Sequence, residues 1–261
     1  MADVSKIVGV DIATIAKINK IDIGDIGSVN GSIIPHGDEY TKLLLHMDGA
    51  DDGVVFTDSS SNGFTVTPTG VVTKTAVKKF GTASGFINGS GTYLTVQDNA
   101  AWNFGTAPFT VDFWVYHTDV TTALEYSTVW NQTVDASNRF ALCAYAANAF
   151  WAGSFIYLVI GGTAIYRGWT WTPTINTWYH VAFARTGANL YFYVDGVLKT
   201  MDGPSAEAFD ATTDIIDLGA DPTIGKLDAE YFTGYFDEIR VSPGVDRYGG
   251  SGFTPPTGAY G

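Results

Sequence analysis

The sequence contains two close groupings of carboxylates that could do acid–base chemistry, Asp228-Ala-Glu230 and Asp237-Glu238. Retaining hydrolysis of a glycosidic bond needs two carboxyl groups about 5 Å apart, one as the nucleophile and one as the acid. The first grouping lies beside a predicted turn, the second lies on a predicted strand, and neither is extended by a third carboxylate in alternation. We therefore expect no hydrolytic site at either position.

Nucleophilic chemistry is not indicated either. The sequence contains no G-x-S-x-G element and no Cys/His spacing typical of a zinc site. Its one cysteine, Cys143, lies in an apolar run, which predicts a buried and inert thiol. His46, His117 and His180 lie within or at the end of predicted strands, where we expect hydrogen-bonded structural roles. These observations predict that the protein is not an enzyme.

Four tryptophans are candidates for contact with sugar rings, because indole stacks on the C–H faces of sugars while nearby polar groups bind the hydroxyls. Trp169 and Trp171 would share one face of an extended segment, since side chains alternate along a strand. An alternative is that these side chains fill the core or a contact between subunits. The candidate ligand-binding residues are Trp130, Trp151, Trp169 and Trp171.

The charge balance limits the possible partners. The chain of 261 residues has 14 Lys and Arg against 27 Asp and Glu, a net charge of −13. Such a surface repels phosphates and attracts cations, so we expect no nucleic acid partner and consider a divalent metal between loop carboxylates. No apolar run approaches the length of a membrane span, so membrane insertion is not expected.

The elements that would position these residues are short strands. In residues 109–116, Phe109, Val111, Phe113 and Val115 alternate with Thr110, Asp112, Trp114 and Tyr116. Asp195-Gly196 separates two apolar runs and predicts a two-residue hairpin turn. Further strands are expected at residues 43–47, 178–185 and 235–241. Many short strands, frequent Gly turns and almost no helical pattern predict a two-sheet antiparallel sandwich.

Residues 1–35 differ from the rest of the chain. They contain no aromatic residue, and residues 6–16 (KIVGVDIATIA) align without a gap with residues 17–27 (KINKIDIGDIG). A third, partial copy begins at Ser28. The β-branched residues and interrupting glycines predict short extended segments joined by turns. So small a segment cannot bury its isoleucines alone, and we therefore expect it to pair with another chain or to lie against another protein. The alternative is a flexible N-terminal arm whose internal similarity is due to chance.

The ordered blocks of the remaining chain resemble the laminin G-like, pentraxin-related branch of the concanavalin A-like jelly rolls. These blocks are LLLHMDG (43–49), DSSSNG (58–63), FTVDFWVY (109–116), TWYHVAFAR (177–185), LYFYVDGVL (190–198) and GYFDEIRVS (234–242). The resemblance covers about residues 40–257. It implies one concanavalin A-like sandwich over residues 36–261, preceded by an arm over residues 1–35.

The resemblance also implies a structural calcium ion, the only cofactor expected. In relatives, calcium often joins an early acidic loop to an acidic residue on the final strand, and the matching positions are Asp48, Asp58, Asn62 and Asp237. Alternatively, Asp58 and Asn62 form side-chain turns, and Asp48 and Asp237 are solvated or hydrogen-bonded. The carboxylate triplets of glucan-hydrolysing relatives are absent from this sequence.

Two further resemblances, weaker than that of the domain, imply a biological context. The tail VSPGVDRY (241–248) with FTPP (253–256) resembles the ends of such domains in bacteriophage virion proteins, and the N-terminal repeat is similar to segments of phage structural proteins. We therefore expect a non-catalytic protein of the virion surface, made in the host cytoplasm, as a tail fibre or capsid decoration component.

Its expected partners are other virion proteins through residues 1–35, copies of itself, with a trimer favoured, and glycans of the host surface. Weak glycan sites would gain from several copies through multivalency. The alternatives are a purely structural decoration protein without ligand, a carbohydrate-binding module or glycan-active enzyme, and a bacterial surface adhesin, against which the lack of a visible signal peptide counts.

Overall fold

The fold is described from a computed structural model of the chain. The structure describes residues 38–89, 91–121, 126–147, 152–201, 214–215 and 218–261, together with six two-residue strands before residue 38. These parts contain strands and one 3-10 turn, Ala100–Trp102, but no α-helix. No helix that is long and apolar enough to cross a membrane is found among these residues.

The strands are numbered in chain order. Those before residue 38 are β1 (Lys6–Ile7), β2 (Val10–Asp11), β3 (Lys17–Ile18), β4 (Ile21–Asp22), β5 (Ser28–Val29) and β6 (Ser32–Ile33). Those after it are β7 (Leu43–Leu45), β8 (Val66–Thr69), β9 (Val72–Lys74), β10 (Ser84–Asn88), β11 (Tyr93–Val96), β12 (Phe109–His117), β13 (Tyr126–Asp135), β14 (Asn138–Ala147), β15 (Ala152–Ile160), β16 (Thr163–Trp169), β17 (Trp178–Thr186), β18 (Asn189–Val194), β19 (Val197–Leu198), β20 (Thr223–Ile224), β21 (Lys226–Leu227), β22 (Glu230–Tyr231) and β23 (Thr233–Pro243).

Two antiparallel sheets form the sandwich. The first has the order β19-β18-β17-β12-β23-β10-β9, with β7 also paired to β23. The second has the order β16-β15-β14-β13-β20-β11-β8. Strands that are far apart in the chain are neighbours in both sheets, as in a jelly roll. The predicted all-β, two-sheet antiparallel sandwich is therefore confirmed.

The core lies between the two sheets and follows the alternation of the sequence. On β12, Phe109, Val111, Phe113 and Val115 are fully buried in the main apolar cluster, as predicted. The Asp195-Gly196 turn between β18 and β19 has positive φ at both residues, 48° and 73°. This is the backbone of a tight two-residue hairpin turn, and that prediction is also confirmed.

The chain after β23 crosses the outer face of the first sheet, and we call residues 244–261 the C-terminal strap. Phe253 and Tyr248 of the strap are stacked, with ring centres 3.7 Å apart, against Tyr193 of β18. The main-chain N–H of Phe253 donates to the Gly196 carbonyl oxygen at 2.9 Å. A Cβ atom at Gly196 would lie 1.8 Å from the carbonyl oxygen of Phe253, so the strap packs directly on this hairpin turn. It covers the part of that face formed by β17 and β18.

The repeat before residue 38 forms three antiparallel pairs of two-residue strands. Residue 6 pairs with residue 11, residue 17 with residue 22, and residue 28 with residue 33. The pairs therefore recur with the eleven-residue period of the sequence repeat. The prediction of short extended segments in this region is confirmed.

Candidate functional site

Three of the four candidate tryptophans lie in the core rather than on the surface. Trp130 and Trp169 are 0% and 1% exposed, and Trp171 is 9% exposed. Trp130 packs against Trp102, and both Trp169 and Trp171 pack against Phe192. A sugar cannot stack on an indole whose faces are covered, so the prediction that these three residues bind sugar is corrected. Trp169 and Trp171 do share a face, but it is the inner one. Trp151 lies outside the described residues.

Two of the candidate metal ligands, Asp48 and Asp237, lie near each other at the strand junction, where β7 pairs with β23 and both carboxylates hydrogen-bond to residues 79–83. Asp237 is fully buried on β23, and its Oδ2 accepts the N–H groups of Lys79 and Phe80 at 2.8 and 3.2 Å. Its Oδ1 is buried without a hydrogen-bond partner. Burial raises the pKa of Asp237 to about 8, with further contributions from the carboxylates of Glu238 and Asp48.

The other two candidate ligands, Asp58 and Asn62, hydrogen-bond to main-chain groups. Asp58 is buried, and its carboxylate accepts the N–H groups of Leu44, Ser60 and Phe64 at 2.8–3.0 Å and the Ser60 hydroxyl at 2.9 Å. Asn62 donates its side-chain amide to the Lys42 carbonyl oxygen at 3.0 Å. These contacts are the side-chain turn that was the alternative for this loop.

Asp48 is hydrogen-bonded as well, since its Oδ1 accepts the Thr82 hydroxyl at 2.9 Å and the Ala83 N–H at 3.2 Å. Of the four candidates, Asp48 and Asp237 are the two that could hold a cation together, and the partnerless Asp237 Oδ1 is an acceptor that a cation would satisfy. The described residues contain no cluster of three or more His, Cys, Asp or Glu able to hold a metal ion. Calcium takes six to eight oxygens, so main-chain oxygens would have to complete the set.

A second group of charged residues is sealed beneath the C-terminal strap. Asp112 is fully buried, and Arg240 donates to its two oxygens from Nε at 3.0 Å and Nη2 at 2.6 Å. The Tyr248 hydroxyl donates to Asp112 Oδ2 at 2.5 Å. His180 Nε2 lies 2.8 Å from the Tyr260 hydroxyl and 4.0 Å from Asp112 Oδ2. The network ties the strap to the sheet, and its carboxylate is fully buried.

Two further groups with catalytic potential, His117 and Cys143, are also internal. His117 is fully buried among Tyr145, Trp171 and Phe232, and burial lowers its pKa to about 3. Its Nε2 lies 3.0 Å from the Ser127 hydroxyl, which is equally buried. Cys143 is buried, as predicted. These groups belong to the packed interior.

An open polar surface lies instead on the outer face of the second sheet. Thr95 of β11 is in register with Thr67 of β8 on one side and Thr223 of β20 on the other, and Thr223 is in register with Asn131 of β13. Four neighbouring strands thus carry an unbroken row of hydroxyl and amide side chains. The Asn131 amide donates to the Thr223 hydroxyl at 3.1 Å, which holds one end of the row in place.

This row forms the floor of a groove that we call the threonine groove. One part has a volume of about 370 Å³ and is lined by Thr65, Thr67, Thr95, Gln97 and Asp221. The adjoining part has a volume of about 200 Å³ and shares Asp221; its other lining residues are Asn131, Thr133, Thr223, Lys226 and Asp228. All of its lining residues have polar or charged side chains, and they carry charge of both signs.

The short hairpin of β21 and β22 lies beside this groove on the outer face. Leu227 of this hairpin packs in one cluster with Ala141 and Cys143 of β14, beyond the polar row. Arg139 Nη1 donates to Asp228 Oδ2 at 2.6 Å, and the Lys226 amine lies 4.5 Å from the centre of the Tyr93 ring. The hairpin is thus anchored to the sheet on both flanks.

The threonine groove could not be predicted from the sequence. The alternating Thr65, Thr67 and Thr69 are visible in the sequence, but alternating polar residues are typical of any solvated strand face. Thr95 and Thr223 are neighbours only because strands 128 positions apart in the chain pair with each other. The sequence around either residue does not predict that these two strands pair.

The sequence and the fold can be compared with known proteins. The model of the family described as the concanavalin A-like lectin/glucanases superfamily matches residues 88–245. No curated protein matches the sequence at the significance required.

Several solved structures share the fold. Domain 4 of AbnA, a GH43 extracellular arabinanase from Geobacillus stearothermophilus in complex with arabinotriose, is 17% identical with a TM-score of 0.58, and the match covers 80% of this chain and 95% of that one. The binding domain of Paraclostridial Mosquitocidal Protein 1 is 13% identical with a TM-score of 0.60, and the match covers 81% of this chain but half of that one. Trypanosoma rangeli sialidase is 13% identical with a TM-score of 0.53, covering 82% of this chain and 32% of that one. At these identities the likeness is one of fold.

Proposed function

This chain belongs to the concanavalin A-like lectin/glucanases superfamily, and from that membership we propose that it is a non-catalytic glycan-binding protein whose ligand surface is the threonine groove. The observation that carries the proposal is the difference between the two outer faces. The C-terminal strap covers the part of the first sheet formed by β12, β17 and β18, whereas the second sheet presents a hollow lined by hydroxyls, amides and carboxylates. Concave sites with converging polar groups are where small ligands bind.

The chemistry of the groove suits a sugar. Threonine hydroxyls and side-chain amides both donate and accept hydrogen bonds, as sugar hydroxyls do, and a carboxylate accepts strongly from them. An arabinanase domain solved with arabinotriose and the binding domain of a mosquitocidal toxin share this fold, which supports a carbohydrate-binding role.

The absence of catalysis is part of the proposal. The buried carboxylates Asp112, Asp237 and Glu238 face the strap or the strand junction, and Asp228 is held by Arg139 at 2.6 Å. A glycosidase needs two carboxyl groups flanking the substrate. The fold is shared with a sialidase, so a catalytic role is the rival that a hydrolysis assay addresses.

A second candidate is a purely structural decoration protein without a ligand. The burial of Trp130, Trp169 and Trp171 favours it, because these tryptophans were the predicted sugar-stacking residues and the structure does not expose them. The two candidates differ in one observable, which is whether any glycan binds.

We also propose that the protein acts on a bacteriophage surface, as a tail fibre or capsid decoration component, with residues 1–35 as its assembly segment. The support is the periodic set of three strand pairs. Strands of two residues are too short to be stable by themselves, so they need cover from another copy or another virion protein.

For the strand junction we propose a structural cation held by Asp48 and Asp237. The support is the partnerless buried Oδ1 of Asp237 beside a second carboxylate. A bound cation would neutralise this pair and stabilise the contact between the loop after β7 and the last strand of the sheet.

The function is tested by applying the full chain to a glycan array of neutral, N-acetylated and sialylated oligosaccharides, followed by titration calorimetry with each responding glycan. Saturable binding without release of reducing ends over a day supports the proposal. Release of reducing ends would identify an enzyme. The absence of binding to every glycan would favour the structural candidate.

A further inference from the structure

Resting on the proposed glycan-binding function, we propose that the threonine groove selects a neutral oligosaccharide laid across the strands, and disfavours glycans that carry carboxylate, sulfate or phosphate groups. Glycan binding by itself specifies neither the orientation of the oligosaccharide on the sheet nor its charge, and the groove determines both.

The direction follows from the register of four strands. Thr67, Thr95, Thr223 and Asn131 stand side by side on β8, β11, β20 and β13. Neighbouring strands are about 4.8 Å apart, so the row is about 14 Å long, which suits a short oligosaccharide lying perpendicular to the strands. Beyond Asn131, Leu227 covers the next strand by packing with Ala141, which limits the length of ligand that the floor accepts.

The groups that would hydrogen-bond to the sugar hydroxyls are the polar side chains on the floor of the threonine groove and the Asp221 carboxylate. This carboxylate is exposed at the boundary of the two hollows, and its Oδ1 accepts the main-chain N–H of Asp98 at 2.8 Å. A carboxylate has about four acceptor positions, so Asp221 can still accept hydrogen bonds from a pair of adjacent sugar hydroxyls. Thr95 can donate to or accept from a further hydroxyl. The Thr223 hydroxyl already donates to the Asn131 carbonyl oxygen at 3.4 Å and accepts from the Asn131 amide at 3.1 Å, so it can accept one more hydrogen bond.

The charge preference follows from the way the neighbouring cations are engaged. Arg139 is paired with Asp228 at 2.6 Å, and the Lys226 amine lies over the Tyr93 ring. A site for an anionic sugar typically presents an arginine fork or a free ammonium to the anion. Here the carboxylate Asp221 lies between the hollows, and the chain as a whole carries 27 acidic against 14 basic residues. The Asp221 carboxylate would repel an anionic sugar, and the nearby cations Arg139 and Lys226 already contact Asp228 and the Tyr93 ring.

The test uses the full chain with three single substitutions. Asp221→Asn keeps the shape of the side chain and removes its charge, and Thr95→Val removes one hydroxyl of the floor. Thr163→Val is the matched control, because Thr163 is exposed on β16 at the far edge of the same sheet. Thermal unfolding of each variant first establishes that it folds like the wild type. Binding is then measured by titration with the strongest neutral and the strongest sialylated oligosaccharide of the array.

We expect the wild type to prefer the neutral glycan. Asp221→Asn should weaken that binding about tenfold or more, since it removes a charge-assisted hydrogen bond, and should narrow the gap to the sialylated glycan. Thr95→Val should weaken it several-fold, and Thr163→Val should not change it. Preference for a sialylated glycan, or unchanged affinity in both groove variants, overturns this inference and leaves glycan binding standing. Failure to bind any glycan overturns both.

Discussion

Replacing Arg240 by Met should destabilise the protein by about 3–5 kcal/mol, because it leaves a charged carboxylate buried without its partner. Asp112 has no exposed surface and accepts two hydrogen bonds from Arg240, at 3.0 and 2.6 Å. The Tyr248 hydroxyl, at 2.5 Å, would remain as its one close donor among these side chains. For a domain of this size, that loss corresponds to a decrease in Tm of roughly 10 °C.

The same ion pair should be visible in the dependence of stability on pH. Burial by itself would raise the pKa of Asp112, but the charge and hydrogen bonds of Arg240 outweigh it and lower the pKa from 3.8 to about 2. At 1.36 kcal/mol per pH unit, the shift contributes about 2 kcal/mol to the free energy of unfolding. Because the folded-state pKa is the lower one, this stability is present above about pH 4 and is lost as the pH falls towards 2.

The assay is urea unfolding followed by tryptophan fluorescence at a series of pH values from 7 to 3. Arg240→Lys is a control that keeps the charge but not the two-point geometry, and its cost should be intermediate. The sharpest comparison uses Asp112→Asn, which should destabilise the wild type but stabilise the Arg240→Met variant, since it removes the unpaired charge. If Arg240→Met costs less than about 1 kcal/mol, or if Asp112→Asn has the same sign in both backgrounds, the ion pair does not have the structural role given to it here.

Three further predictions concern the core, the strand junction and the N-terminal repeat. Trp130→Ala should cost about 3–5 kcal/mol in urea unfolding because it empties a fully buried site, while glycan affinity per folded molecule stays unchanged. Calcium at about a hundred times its Kd should stabilise the wild type by about 2.7 kcal/mol, a rise in Tm of roughly 5–10 °C by calorimetry, and Asp237→Asn should abolish most of that rise. The full chain should sediment as an oligomer, and Ile7→Ser combined with Ile18→Ser should shift it towards the monomer, since the repeat needs cover from another chain.

Each of these has a control and a contrary result. If Trp130→Ala lost glycan binding while its stability stayed unchanged, Trp130 would have to contact the glycan. For calcium, magnesium at the same concentration is the control, and equal melting in calcium and chelator would argue against the cation. For the repeat, Lys20→Ser is the control that changes a charged rather than an apolar residue, and a wild-type monomer at micromolar concentration would argue against an assembly role for residues 1–35.

The sequence by itself determined the class of the fold and many of its local features. Strand β12 has one face of Phe and Val because alternation has a period of two, and the hairpin turn at Asp195-Gly196 follows from residues that tolerate positive φ. The paired segments before residue 38 follow from a repeat of β-branched residues. These features depend on interactions between residues close in the chain, and so the local pattern carries them.

The tertiary structure decided which faces are covered and which residues meet. The sequence left open whether Trp130 and Trp169 lie at the surface or in the core, and only the packing of one sheet on the other buries them. The meeting of Asp48 with Asp237, and the row from Thr67 through Thr95 to Thr223, depend on pairing between strands distant in the chain. Register between distant strands is set by the packing of the whole sandwich, and no single segment encodes it.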